Sequence, residues 1–198
     1  MSVYSPEMSL GEARALLFER SGFAPDGGYG DRWVRMKLGP LPLGFPNVGN
    51  RRRAVRFHDL HHVLTEYPTT WRGETEIGAW EVATGLRRYW SGWLLDLLGF
   101  ALGLLINPRG VYRAFLRGRV SANLYGLEWD DKLLSLRVGD VRRRLRLDRP
   151  AQGASAGDRF AFVVWAAVSA AVYVLTGFVL LLPLFVALFA GAWAAGFL

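Results

Sequence analysis

Side chains that bind metal ions crowd into one short stretch of this chain. His58, His61 and His62 are its only histidines, Asp59 lies among them, and Glu74 follows twelve residues after His62. In an α-helix, positions i and i+4 share a face, so His58 and His62 can grip one cation from a single helix. Asp59 and His61 lie to either side of that pair. The zinc metalloprotease motif H-E-x-x-H uses the same spacing, with its Glu as general base. Here the second residue is the shorter Asp, which reaches less far toward a bound water. Glu74, beyond a turn at Pro68, can project from the next helix as a carboxylate ligand. Two imidazoles with one or two carboxylates suit Zn2+, or divalent iron, cobalt or manganese. Neutral imidazole and ionised carboxylate are both available near neutral pH, so such a site needs no unusual pKa. His61 reads as a supporting or surface group rather than a ligand.

Other chemistries are trimmed by what the chain lacks. With no cysteine there is no disulfide scaffold, thiolate zinc finger, iron–sulfur cluster or cysteine nucleophile. A His-Asp phosphohydrolase needs a further histidine upstream, and none exists. There is no G-x-S-x-G elbow, no P-loop, and no G-x-G-x-x-G after a strand.

The metal-binding stretch must be held by helices. Ser9 and Glu12 have the spacing of a capping box before an apolar-periodic run, which predicts a first helix over about 10–20. Residues 21–50 are rich in Gly and Pro and read as loop, with a short strand around Trp33–Met36. Arg51-Arg52-Arg53 opens a helix that carries the histidines and ends before Pro68. A further helix begins near Thr70 and carries Glu74. The segment Tyr89–Ile106 is apolar apart from Asp96, and its uninterrupted run Leu97–Ile106 is too short to span a bilayer. Three readings stay open for it: a core helix, a helix lining a lipid-tail tunnel, or an interfacial helix with Tyr89, Trp90 and Trp93 at headgroup level. Asn107-Pro108 ends it. Residues 111–119 and about 128–147 read as helical, with Gly139 breaking the second. Strand signals are sparse, so the expected fold is mainly α.

The chain's 198 residues allow one compact domain plus an appendage. All of the charged residues precede Phe160, and the remaining residues to Leu198 carry none. This divides the chain into a domain over 1–150, a small flexible linker over 151–159 and a membrane anchor over 160–198. As one straight helix the anchor would be too long for a bilayer core of about 30 Å. A transmembrane helical hairpin turning near Thr176-Gly177 or Pro183 is therefore expected, with a single span followed by a short or re-entrant helix as the alternative. The N-terminus MSVYSPEMSLGE lacks a basic start followed by an apolar core, so no signal peptide is expected. The basic run Arg142, Arg143, Arg144, Arg146, Arg149 and Arg159 before the anchor places the domain on the cytoplasmic side of the inner or cytoplasmic membrane. Residues 1–86 are charge-balanced, whereas 87–149 hold 13 basic and 6 acidic side chains. Beside an apolar anchor such charge faces anionic headgroups, at about 1 kcal/mol per Lys or Arg near the surface, and no nucleic-acid partner is expected. Arg52, Arg53 and Arg56 read as solvated or headgroup-facing.

His58-Asp59-Leu60-His61-His62, eleven residues and then Glu74 form H-D-x-x-H-x(11)-E, which resembles the signature of the Coq4 family of ubiquinone-biosynthesis proteins. The basic stretch Arg51–Arg53 with Arg56, then Val63-Leu64, Pro68-Thr69-Thr70 and Gly73-Glu74, agree with it. The resemblance covers about residues 9–148 and is specific only around the motif. It implies a Coq4-like helical domain, a divalent metal, usually Zn2+, held by His58, Asp59, His62 and Glu74, and a hydrophobic tunnel for polyprenyl lipid. It also implies oxidative decarboxylation at C1 of a polyprenylated 4-hydroxybenzoate-derived ring. The implied partners are that lipid, the membrane and other quinone-biosynthesis proteins, and a homo-oligomer is compatible with it. Glu74 or Asp59 would act as catalytic proton acceptor where it is not a ligand. Two further readings stand beside the enzyme: a non-catalytic organiser that presents lipid to a biosynthetic assembly, and a membrane metallohydrolase. The apolar tail lies outside the family's usual pattern and would either turn a peripheral protein into an integral one or mark a divergent branch acting on another prenyl lipid.

Overall fold

The computed structural model describes residues 2–38, 41–149 and 153–194. The fold is mainly helical. Helix α1 (Leu10–Ser21) starts on the expected capping box: Ser9 Oγ accepts from the Glu12 amide, and the Glu12 carboxylate accepts from the Ser9 amide at 2.8 Å. Residues 21–50 contain more order than their composition suggests. Strands β1 (Trp33–Leu38) and β2 (Leu41–Pro46) pair antiparallel, with Trp33 opposite Pro46. Pro42 and Pro46 obscure this strand in the sequence, yet a two-stranded ribbon leaves each strand one unpaired edge where proline is tolerated. The turn residues 39–40 lie outside the described residues.

Helices α2 (Gly49–Thr65) and α3 (Trp71–Thr84) carry the candidate ligands. Helix α3 packs between α4 (Trp90–Ile106) and α5 (Pro108–Arg119). Trp80, at its centre, is fully buried, and its indole N–H donates to Ser121 at 2.9 Å. Helix α4 is a core helix on one face, burying Asp96, Leu97, Phe100 and Ala101, while Leu94, Leu95, Leu105 and Ile106 stay exposed. The stretch expected to be helical over 128–147 with a break at Gly139 forms α6 (Asp131–Leu134) and α7 (Val138–Arg144). The break falls at Ser135–Arg137, not at Gly139, because this segment pairs with the chain's start. The Leu10 amide donates to the Leu136 carbonyl at 2.8 Å, and the Val138 amide to Met8 at 2.9 Å.

Arg142 does not belong to a solvated basic run. It is buried, donating from Nε to the Leu64 carbonyl at 3.0 Å and from Nη2 to Val63 at 2.8 Å, and it pairs with Glu66 at 3.1 Å. Arg117 reaches the Thr65 carbonyl at 2.8 Å. The two guanidiniums satisfy the carbonyls that α2 leaves unpaired at its negative end.

The tail forms one helix, α8 (Ala156–Ala194), where a hairpin was expected. Neither Thr176-Gly177 nor Pro183 turns the chain. Proline removes one backbone hydrogen bond but need not break an apolar helix. Helix α8 begins inside the expected linker, on a Ser155–Asp158 cap, and Asp158 pairs with Arg119 at 3.1 Å. Linker residues 151–152 and anchor residues 195–198 lie outside the described residues.

The excess length of α8 is taken up by docking. Phe162 packs against Phe100, Tyr112 and Phe115, Trp165 stacks on Trp93 at 5.3 Å, and Ser169 and Val172 also face the domain. From Tyr173 onward the described side chains project outward: Val174 is 69% exposed and Leu180 73%. Residues 173–194 measure about 33 Å as a helix, close to a bilayer core of about 30 Å. By length and composition α8 can cross a membrane.

Candidate metal centre

Two local devices aim α2 and α3 at each other. Glu66, at φ 64°, ends α2 in the left-handed conformation and turns the chain toward Pro68. Thr70 caps α3 by accepting from the Gly73 amide at 3.3 Å. A Cβ on Gly73 would overlap the Pro68 carbonyl, so only glycine lets the first turn of α3 fold this tightly against the turn. Glu74, the next residue, thereby reaches back over α2.

The structure brings three donor groups together. His58 Nε2 lies 3.1 Å from His62 Nε2 and 3.4 Å from Glu74 Oε2, and His62 Nε2 lies 3.3 Å from Glu74 Oε1. Ligands at about 2.0–2.1 Å around a tetrahedral zinc are separated by about 3.3 Å, so these spacings fit one face of such a site. His62 is buried, whereas the Glu74 side chain is 40% exposed, so the cluster meets solvent on the Glu74 side.

The other nitrogens of both rings are already committed. His62 Nδ1 lies 2.8 Å from the Tyr67 carbonyl, which can only accept, so Nδ1 carries the hydrogen. His58 Nδ1 lies 3.0 Å from a Glu81 carboxylate oxygen and donates to it. In its neutral form each ring would therefore present a bare Nε2 lone pair toward the other and toward an anionic carboxylate. Such a cluster repels itself unless a cation or a proton sits at its centre. Donation of the far N–H to a carboxylate or carbonyl is also how metal-bound histidines are oriented and made more basic.

Glu81 went unnoticed in the sequence, though it lies seven residues after Glu74 and hence on the same face of α3. It is fully buried and accepts from two imidazoles, His58 and, at 2.5 Å, His61. His61 is neither a surface group nor a member of the donor cluster. It is completely buried, and its Nε2 accepts from the Leu124 amide at 3.0 Å, which fixes its hydrogen on Nδ1. Asp96, the single charge of the apolar α4, faces the same network, and His58, Glu81 and Asp96 form a second, overlapping group of donors. The Asp96 Oδ2 atom is buried without a hydrogen-bond partner.

Asp59 lies outside both groups. One helical residue after His58, it is rotated by about 100° and accepts from the Tyr29 hydroxyl at 2.5 Å. Burial pushes its pKa up against the pull of His58 and Tyr29.

Electrostatics divide the buried groups into acceptors and donors. Burial raises Asp96, and neighbouring Glu81 raises it further, which favours its protonated form. Glu81 is burdened by burial too, but His58 and His61 outweigh it and hold it well below the usual carboxylate range. Glu74 is likewise lowered, burial being overcome by His62 and His58. Burial lowers His61 and keeps it neutral. For His58 burial is overcome by Glu81 and Glu74, which raise it well above its ordinary value, so that a proton takes the position a cation would hold.

No protein-family profile, curated protein or solved structure matches the chain.

Proposed function

We propose that this chain is a membrane-anchored, metal-dependent protein of ubiquinone biosynthesis that acts on a polyprenylated 4-hydroxybenzoate-derived ring and replaces its C1 carboxylate by hydroxyl. The observation that carries the reading is the convergence of the His58 and His62 Nε2 atoms on Glu74 with both Nδ1 atoms tied elsewhere. His58, His62 and Glu74 would hold the divalent ion, most suitably Zn2+. Bound there, the ion would polarise the ring carboxylate or a phenolic oxygen and stabilise the charge that develops as carbon dioxide leaves. The net change is a two-electron oxidation, which balances when water supplies the hydroxyl oxygen and external dioxygen takes up two electrons and two protons and leaves as hydrogen peroxide. Glu74 is committed as a ligand in this reading, and Asp59, held by the Tyr29 hydroxyl outside the donor cluster, is a supporting group rather than the proton acceptor.

Lipid recognition is supported by α4. Leu95, Leu98, Leu102 and Leu105 follow one helix face and are each partly or fully exposed. Gly99, on the same stretch, lets α4 pack close to the Glu74 backbone on α3. A cytoplasmic orientation is supported by Arg143, Arg144, Arg146 and Arg149, which remain exposed just before α8.

The test is lipid mass spectrometry of a deletion strain, complemented by the parent chain or by His62→Ala, with metal content measured on both purified proteins. The expected result is loss of quinone, accumulation of a carboxylated prenyl-phenol, and restoration by the parent alone. Restoration by a metal-free His62→Ala chain would replace the enzyme reading by the organiser. An unchanged quinone pool on deletion would overturn the pathway assignment.

A further inference from the structure

A cavity of about 190 Å³ lies away from the metal centre, lined by Arg53, Arg56, Phe57, Arg88, Tyr89 and Trp129, with Glu128 as its one carboxylate. An adjoining hollow shares Arg53, Arg88 and Tyr89 and adds Asn50. Arg53 and Phe57 are four residues apart and share one face of α2, whereas His58 and His62 share the next.

Three guanidiniums thus face one concave site. Among the described residues none of them forms an ion pair, and Arg56 buries its Nε without a hydrogen-bond partner. Arg56 is wedged between rings, 5.4 Å from the centre of Tyr29 and 5.9 Å from that of Trp129. Arg53 and Arg88 are exposed and Arg56 is half-buried, and bringing these three like charges together with Glu128 as the one carboxylate is unfavourable by itself. It becomes favourable when an anion fills the site. The planar five-donor fork of arginine matches the oxygens of phosphate, and the exposed forks of Arg53 and Arg88 can engage them.

The site also has a defined place relative to α8. Arg88 and Tyr89 lead directly into α4, whose Trp93 stacks on Trp165 of α8 and donates from its indole to the Arg87 carbonyl at 3.2 Å. Trp90 is 58% exposed. Helix α8 leaves the domain at about Val172, two turns beyond Trp165. Where α8 crosses a bilayer, Trp90, Trp93 and Trp165 occupy the headgroup level favoured by indoles, and the arginine pocket opens beside them.

We propose that this pocket binds an anionic phosphate group, presented by a lipid headgroup at the membrane surface. The phosphate site stands on the pocket alone, and only the lipid source rests on the membrane reading of α8.

The experiment is calorimetric titration of the full chain in neutral-detergent micelles with inorganic phosphate, dihexanoyl phosphatidic acid or dihexanoyl phosphatidylcholine. Saturable binding of phosphatidic acid, competed by inorganic phosphate and weakened by salt, is expected. Arg53→Gln combined with Arg88→Gln should weaken it by about tenfold or more, whereas exposed Arg144→Gln should bind as the parent does. Should the double variant melt lower than the parent, Arg53→Gln alone carries the comparison. Tighter binding of phosphatidic acid than of inorganic phosphate identifies a lipid headgroup, and equal binding identifies free phosphate. Binding of neither above the phosphatidylcholine control, or undiminished binding by a correctly folded arginine variant, would overturn the site. The readout uses no bilayer and is repeated with chelator, so it fails or succeeds independently of the span and of the metal reading.

Discussion

Replacing Glu81 with glutamine keeps the side chain's size but removes one of two acceptor oxygens in a fully buried position. The carboxylate serves two donors, His58 Nδ1 at 3.0 Å and His61 Nδ1 at 2.5 Å. His61 cannot exchange its tautomer without losing the Leu124 amide at 3.0 Å, so it retains the amide oxygen. His58 then meets the amide NH2, donor against donor. It must either leave its Nδ1–H unpaired or move the hydrogen to Nε2, the atom that faces the metal position. An orphaned buried donor costs about 1–3 kcal/mol. Loss of a carboxylate that orients a metal-bound histidine typically weakens metal affinity by about 10–100-fold, equivalent to about 1.4–2.7 kcal/mol. Two separate routes give the same range, so Glu81→Gln should raise the zinc dissociation constant by about 10–100-fold. Competition with a chromogenic chelator on the full chain in detergent measures this, with exposed Glu19→Gln as the control. Zinc held by Glu81→Gln as tightly as by the parent would refute the tautomer argument, because the ring orientation of His58 would then not depend on Glu81.

Other perturbations follow from the same geometry. The raised pKa of His58 means that zinc must displace a proton, so calorimetry at pH 7 in buffers of differing ionisation heat should show release of about one proton, and affinity should fall as pH drops. Without metal, that raised pKa stabilises the fold fully below the unfolded value of about 6.5, and the gain is lost as pH rises through the folded value. The depressed pKa of Glu81 acts in the opposite sense, being lost as pH falls through its folded value, so thermal melts of the metal-free chain should show stability declining on both sides. Arg142→Ala strips the Leu64 and Val63 carbonyls of their donor and leaves Glu66 without its nearest cation, and should cost about 2–3 kcal/mol, seen as a melting temperature lower by roughly 5–10 °C. A chain ending at Val172 keeps the docked turns of α8 and loses the outward 173–194 segment. It should be released from membranes by alkaline carbonate, whereas the full chain should stay with the pellet.

Local patterns in the sequence were sufficient wherever the physics is local. The i, i+4 spacing of His58 and His62, the Ser9–Glu12 cap and the stop before Pro68 each depend on a few neighbouring residues, and each is present in the structure. The same helical rotation could have set Asp59 apart, since a step of about 100° carries it from the Nε2 atoms toward Tyr29. Glu81 had a readable signal in its seven-residue offset from Glu74, and Asp96 one in its apolar surroundings. Neither signal says which histidine nitrogen would need an acceptor.

The mainly helical fold and the apolar, charge-free tail were legible from composition and periodicity, because burial of apolar faces and absence of charge are properties that a segment carries wherever it is placed. Roles that need a distant partner were decided only by the tertiary structure. Arg142 reads as one of a basic run until the end of α2 offers it two carbonyls. The apolar tail reads as too long for one span until Phe162 and Trp165 dock on α4 and α5, leaving Tyr173–Ala194 at about the thickness of a bilayer core. In both cases the residue types fix what a group can do, while the choice among its partners depends on contacts between segments far apart in the chain.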